Sequence, residues 1–98
     1  MEAISEKEAY LKKLSARLKQ KEIDIEKMQA KVDAAKGDLR EAHLKEIKEL
    51  RMKKNTVLDN MKQLQESGEE MWDEIKKGVD KSWSELRDAF STVYAKLR

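Results

Sequence analysis

The chain has no cysteine and no proline, and only three glycines, one histidine, two tryptophans, two tyrosines and one phenylalanine in 98 residues. Without cysteine there is no disulfide framework and no thiol chemistry. One histidine cannot build a metal centre, which needs several ligands. The Glu-x-x-His pairing of carboxylate-bridged metal bundles would need Glu three residues before His43, and Arg40 stands there. No Gly-x-Ser-x-Gly elbow and no phosphate-binding loop occurs. No stretch approaches the ~20 apolar residues that span a bilayer. The first residues, Met1 to Glu8, lack the basic start and apolar run of a secretory signal. A cytoplasmic location is therefore expected. Nor is one sign of charge in excess: 22 basic residues face 20 acidic ones, a net of +2, too little to imply a nucleic-acid partner.

What is present is charge and helical periodicity. Charged residues make up 43% of the chain, and the absence of proline points to long helices. The stretch from Glu69 to Arg98 organises the rest. Trp72, Trp83 and Tyr94 are spaced by eleven, as are Ile75, Leu86 and Leu97, and Val79 and Phe90. Eleven residues at ~100° each turn a helix about 20° past three full turns, so the repeat draws one nearly straight stripe. Trp72, Ile75, Val79, Trp83, Leu86, Phe90, Val93, Tyr94 and Leu97 fall within an arc of roughly 100°, the width of a core-facing surface. This helix-packing or partner face must be covered by the rest of the chain, a second copy, another protein or a lipid surface.

Upstream, Ser5 and Glu8 have capping-box spacing. Ile4, Leu11, Leu18, Ile25, Val32 and Leu39 then recur every seven residues. Their companions three residues on include Lys7 and Lys21, which can snorkel outward. The pattern is a coiled-coil seam of modest strength. A second seam joins Leu50, Val57, Leu64 and Met71, broadened by Leu44 and Leu58, after a shift of eleven residues between Leu39 and Leu50. At Ser67-Gly68-Glu69-Glu70 a left-handed glycine and a capping box predict a reversal. Lys36-Gly37-Asp38 is the weaker break, because the seam crosses it in phase, and an interior glycine costs only about 1 kcal/mol against alanine.

Two all-α architectures follow. In the first, a helix over about 5–66, a turn at 67–68 and an amphipathic helix over about 69–97 form one helical domain. This coiled-coil hairpin completes a bundle by self-association, as an antiparallel dimer. In the second, the chain also turns near Gly37 and makes an antiparallel three-helix bundle as a monomer. The two are domain-swapped versions of one packing scheme. Continuity of phase across Gly37 favours the long helix.

The segments Ala34-Ala35-Lys36-Gly37-Asp38, Lys45 to Arg51, Trp72-Asp73-Glu74-Ile75-Lys76-Lys77-Gly78-Val79, Trp83, and Leu86 to Phe90 resemble a small bacterial coiled-coil family described as stress-response proteins. The likeness runs from about Val32 onward. Members tend to have alanine where this chain has Gly37, which implies a continuous first helix. The resemblance implies a link to bacterial stress response and brings no enzyme activity, cofactor or binding residue.

A structural or interaction protein is expected, acting through helix association, with no catalytic, cofactor or metal residues. The alternative is a peripheral lipid-surface binder using the C-terminal stripe, as amphipathic helices with eleven-residue repeats do. Against it, residues 69–98 carry six basic and seven acidic side chains, which gives no attraction to anionic lipid. An unidentified protein partner would use the same face. Nucleic acid is disfavoured: Lys48, Arg51, Lys53 and Lys54 are interrupted by Glu49. Glu69-Glu70 and Asp73-Glu74 read as charges complementing a helix start, not as general acids and bases.

Overall fold

The structure, a computed structural model, describes residues 6–97, the side chain of Leu97 excepted. The expected cap at Ser5 and the seam position Ile4 lie outside these residues. The elements are α1 (Glu6–Asp33), α2 (Asp38–Glu66), a 3-10 turn (Glu69–Met71) and α3 (Trp72–Leu97). No strand occurs among the described residues. Each helix opens on acidic side chains that complement its dipole: Glu6 and Glu8 in α1, Asp38 and Glu41 in α2, Asp73 and Glu74 in α3.

Pairs across the helices fix the topology. Lys7 meets Ser67 and Glu22 meets Arg51, so α1 and α2 run antiparallel. Asn60 meets Ser82 and Glu46 meets Lys96, so α2 and α3 do too. Tyr10 touches Trp72 and Lys21 touches Phe90, which makes α1 and α3 parallel. The result is an up-down-up bundle with extents of 54 × 27 × 19 Å. α2 packs extensively on α3 and less on α1, while α1 meets α3 only along a narrow line. One continuous core runs its length: Leu14, Leu18, Ile25, Met28 and Val32 from α1, Ile47, Leu50, Val57 and Leu64 from α2, Val79, Leu86, Phe90 and Val93 from α3.

The class is all-α, and of the two arrangements the chain takes the three-helix form. The expected single helix over 5–66 is divided at residues 34–37. Gly37 has φ 83 and ψ −158, a conformation essentially reserved for glycine. The break forfeits a few helical hydrogen bonds at about 1 kcal/mol net each. In return α1 folds onto its own chain and buries five large apolar side chains, at ~1.5–3 kcal/mol each. Burial outweighs the break. Phase continuity misled because the residues that carry it past Gly37, Leu39 and Ala42, are exposed and join neither core seam in this form.

The second turn lies where expected but is built differently. Gly68 has φ −79 and is extended, not left-handed. The Ser67 hydroxyl does not cap the following helix. It donates back to the Leu64 carbonyl at 2.8 Å, and the 3-10 turn completes the reversal. A serine at a helix end can bond in either direction, and spacing alone does not choose between them.

Candidate functional site

The stripe on α3 is the site to which the sequence points. Val79 and Leu86 have no exposed surface, and Phe90 and Val93 are buried. Trp72, Ile75 and Trp83 are half-buried and pack on the same core. Leu97 lies in the last turn of α3, and its side chain is outside the described atoms. Tyr94, which the arc includes, is 55% exposed. Its ring follows from the drift of ~20° per eleven residues: Trp72 and Trp83 still face the core, and a further step carries Tyr94 past it. The cover is supplied by the chain itself, mainly by α2, with α1 along one edge.

That α1 edge is built from aromatic rings and long cationic side chains. Tyr10 meets Trp72 edge-on, with ring centroids 5.4 Å apart. The Lys76 ammonium lies 5.3 Å from the Tyr10 ring and 5.6 Å from the Trp72 ring. The Lys21 ammonium sits 4.4 Å above the Phe90 ring. Cation–π contacts of this kind contribute roughly 0.5–1 kcal/mol at exposed sites. Spacing identified Lys21 as a charge in the seam but not its ring partner, which lies 69 residues away.

Hydrogen bonds pin the same junction. The Tyr10 hydroxyl donates to Asp80. Burial first, and then this bond to a carboxylate, push the tyrosine pKa well above its usual value. The other seam lysine, Lys7, donates to the Ser67 carbonyl at 2.6 Å and caps the open end of α2. Ser82 is the one buried polar residue among those described. Its hydroxyl donates to the Val79 carbonyl at 2.9 Å and accepts the Asn60 amide at 3.1 Å.

On the other flank, Glu22 of α1 takes Lys54 and Arg51 of α2. The Lys54 hydrogen bond, followed by the charges of Lys54 and Arg51, holds its carboxyl below the usual range. Two members of the basic cluster at 48–54 are thus spent on Glu22. Beside them a groove of about 300 Å³ opens between α1 and α2, lined by Ser15, Leu18, Lys19, Glu22, Lys54 and Leu58. His43 is half-buried with Nδ1 4.0 Å from Glu46, which also meets Lys96 at 3.7 Å.

No group of histidine, cysteine, aspartate or glutamate among the described residues is arranged to hold a metal ion. No helix among them is long and apolar enough to cross a membrane. Comparison with protein-family models, curated proteins and solved structures gave no match to this chain.

Proposed function

We propose that this chain is a helical interaction protein, without catalysis of its own, that works by burying helix on helix and associates with copies of itself. The state of the α3 stripe supports the helix-on-helix burial, and the apolar side chains left exposed support the association. Val79, Leu86, Phe90 and Val93 are committed to neighbouring helices, while the opposite faces carry the charge. Apart from Tyr94, at 55%, the large apolar side chains left open lie off the stripe: Leu39, Met52, Met71, Ile23 and Leu58 are 68%, 61%, 46%, 45% and 38% exposed. Light scattering over a wide concentration range tests the reading, with a mass that rises above one chain expected. A single-chain mass throughout would remove self-association.

A cytoplasmic setting and a part in bacterial stress response belong to the same proposal. The second rests only on the likeness to that family of residues 34–38, 45–51, 72–79, Trp83 and 86–90. Abundance measured in stressed and unstressed cells tests it, and unchanged levels would count against it. Lipid-surface binding is the poorer reading here, because α3 would have to leave α2 and expose the residues it now buries.

A further inference from the structure

Four residues join α1 to α2, and three of them are good helix formers: Ala34, Ala35 and Lys36. Gly37 speaks for a break, in a conformation closed to other residues, and Asp38 and Glu41 suit the helix start that follows it. The break leaves α2 without a side-chain cap. Its first amides then lack the carbonyl partners that a preceding helical turn would supply, apart from the bond from Arg40 N to the Gly37 carbonyl. Leu39 continues the α1 seam and yet is 68% exposed, the most open large apolar side chain described. The seam and the three residues Ala34 to Lys36 ask for a straight helix here; Gly37, the acidic start of α2 and intrachain burial of α1 oppose it.

We infer that residues 34–37 are a hinge, and that two copies of this chain dimerise by exchanging α1, the hinge becoming helix. This rests on the self-association proposed above and specifies its geometry. Every contact that α1 makes in the closed chain is remade with the partner copy, so the exchange costs no core. Short hinge loops under local conflict favour such exchange. The hairpin register, with Lys7 at Ser67 and Glu22 at Arg51, sets residue i opposite about residue 74 − i. Carried through two straight antiparallel helices, it makes position 37 its own opposite and brings each Leu39 over Ala35 of the other copy. The exchange thus covers the side chain that the closed form leaves in water. The straight helix from residue 6 to 66 would be about 90 Å long.

Gly37→Ala is the decisive variant. A Cβ at this position meets nothing within 4 Å, so no clash intervenes, and the strain is purely one of backbone conformation. Alanine penalises the closed turn and favours the helix in both chains of a dimer. It should lower the concentration at which dimers form by on the order of 10³-fold. Because the chain has no cysteine, Glu22→Cys with Lys54→Cys, joined by a short bismaleimide, reports which chain supplies α1. Exchange gives covalent dimers on a denaturing gel; a closed hairpin gives covalent monomers. Leu39→Gln should leave the helix content and melting of the monomer unchanged, but weaken dimerisation of Gly37→Ala.

Dimers by light scattering whose cross-links stay within one chain would overturn the exchange and leave self-association standing. Monomers at every concentration, with and without Gly37→Ala, would remove both. Dimerisation indifferent to Leu39→Gln would overturn the seam through the hinge.

Discussion

Tyr10 ties the first helix to the third through its ring on Trp72 and its hydroxyl on Asp80. The phenol is neutral when folded, and its pKa stands above the ordinary 10. The folded state therefore holds the proton more tightly than the unfolded chain. This stabilisation is complete below the unfolded pKa and is lost as pH rises above about 10. Tyr10→Phe should cost about 0.5–1.5 kcal/mol at neutral pH. It should also flatten the alkaline decline, so melting temperatures of variant and parent converge above pH 10. Parallel curves would show that the hydroxyl does not couple to folding. Glu22 has the opposite sign. Its carboxyl is held below 4.5, so its contribution is present at neutral pH and disappears as pH falls through the lowered value. The group is a third exposed and screened, so Glu22→Gln should cost less than ~1 kcal/mol at pH 7 and nothing in acid. Ser82→Ala strips a buried hydroxyl from between Asn60 and Val79; about 1 kcal/mol of destabilisation is expected in urea denaturation.

At the scale of the element, α3 was the most legible part of the sequence. A single stripe at constant pitch needs no tertiary information, and Val79, Leu86, Phe90 and Val93 are buried where it put them. The seams of α1 and α2 were legible for the same reason, with Leu18, Ile25, Val32, Leu50, Val57 and Leu64 all in the core. The break at residues 34–37 was legible only as the weaker alternative. Gly37 marked it, but the seam crosses it in phase, and the burial that decides it lies in contacts distant along the chain. The roles of Lys7 and Lys21 were hidden likewise, since each acts on a residue about sixty or more positions away. Two variants test the account of α3. Leu86, with no exposed surface, should lose roughly 2–5 kcal/mol on truncation to alanine. Gly78 is exposed inside the helix, and a Cβ there meets nothing within 4 Å. Gly78→Ala should gain up to about 1 kcal/mol, raising the melting temperature by roughly 4–8 °C. A fall instead would mean that the glycine answers a need outside the helix.

For the whole molecule, the arrangement of charge and apolar surface predicts indifference to membranes. The apolar side of α3 is closed against α2, and residues 69–98 carry no positive excess. The protein should stay in the supernatant with vesicles of anionic or zwitterionic lipid, and its tryptophan emission should not shift. Co-sedimentation with a blue shift would restore the lipid reading. The slender outline of the bundle has a practical side. Its radius of gyration is 16.0 Å, against about 12.6 Å for a rounded chain of this length. Gel-filtration resins sort by drag, and a rod tumbling through a pore behaves as a larger sphere. A lone chain will therefore leave such a column somewhat ahead of a rounded protein of its own mass. An early peak is thus no sign of pairing; a peak that moves as the sample is diluted is.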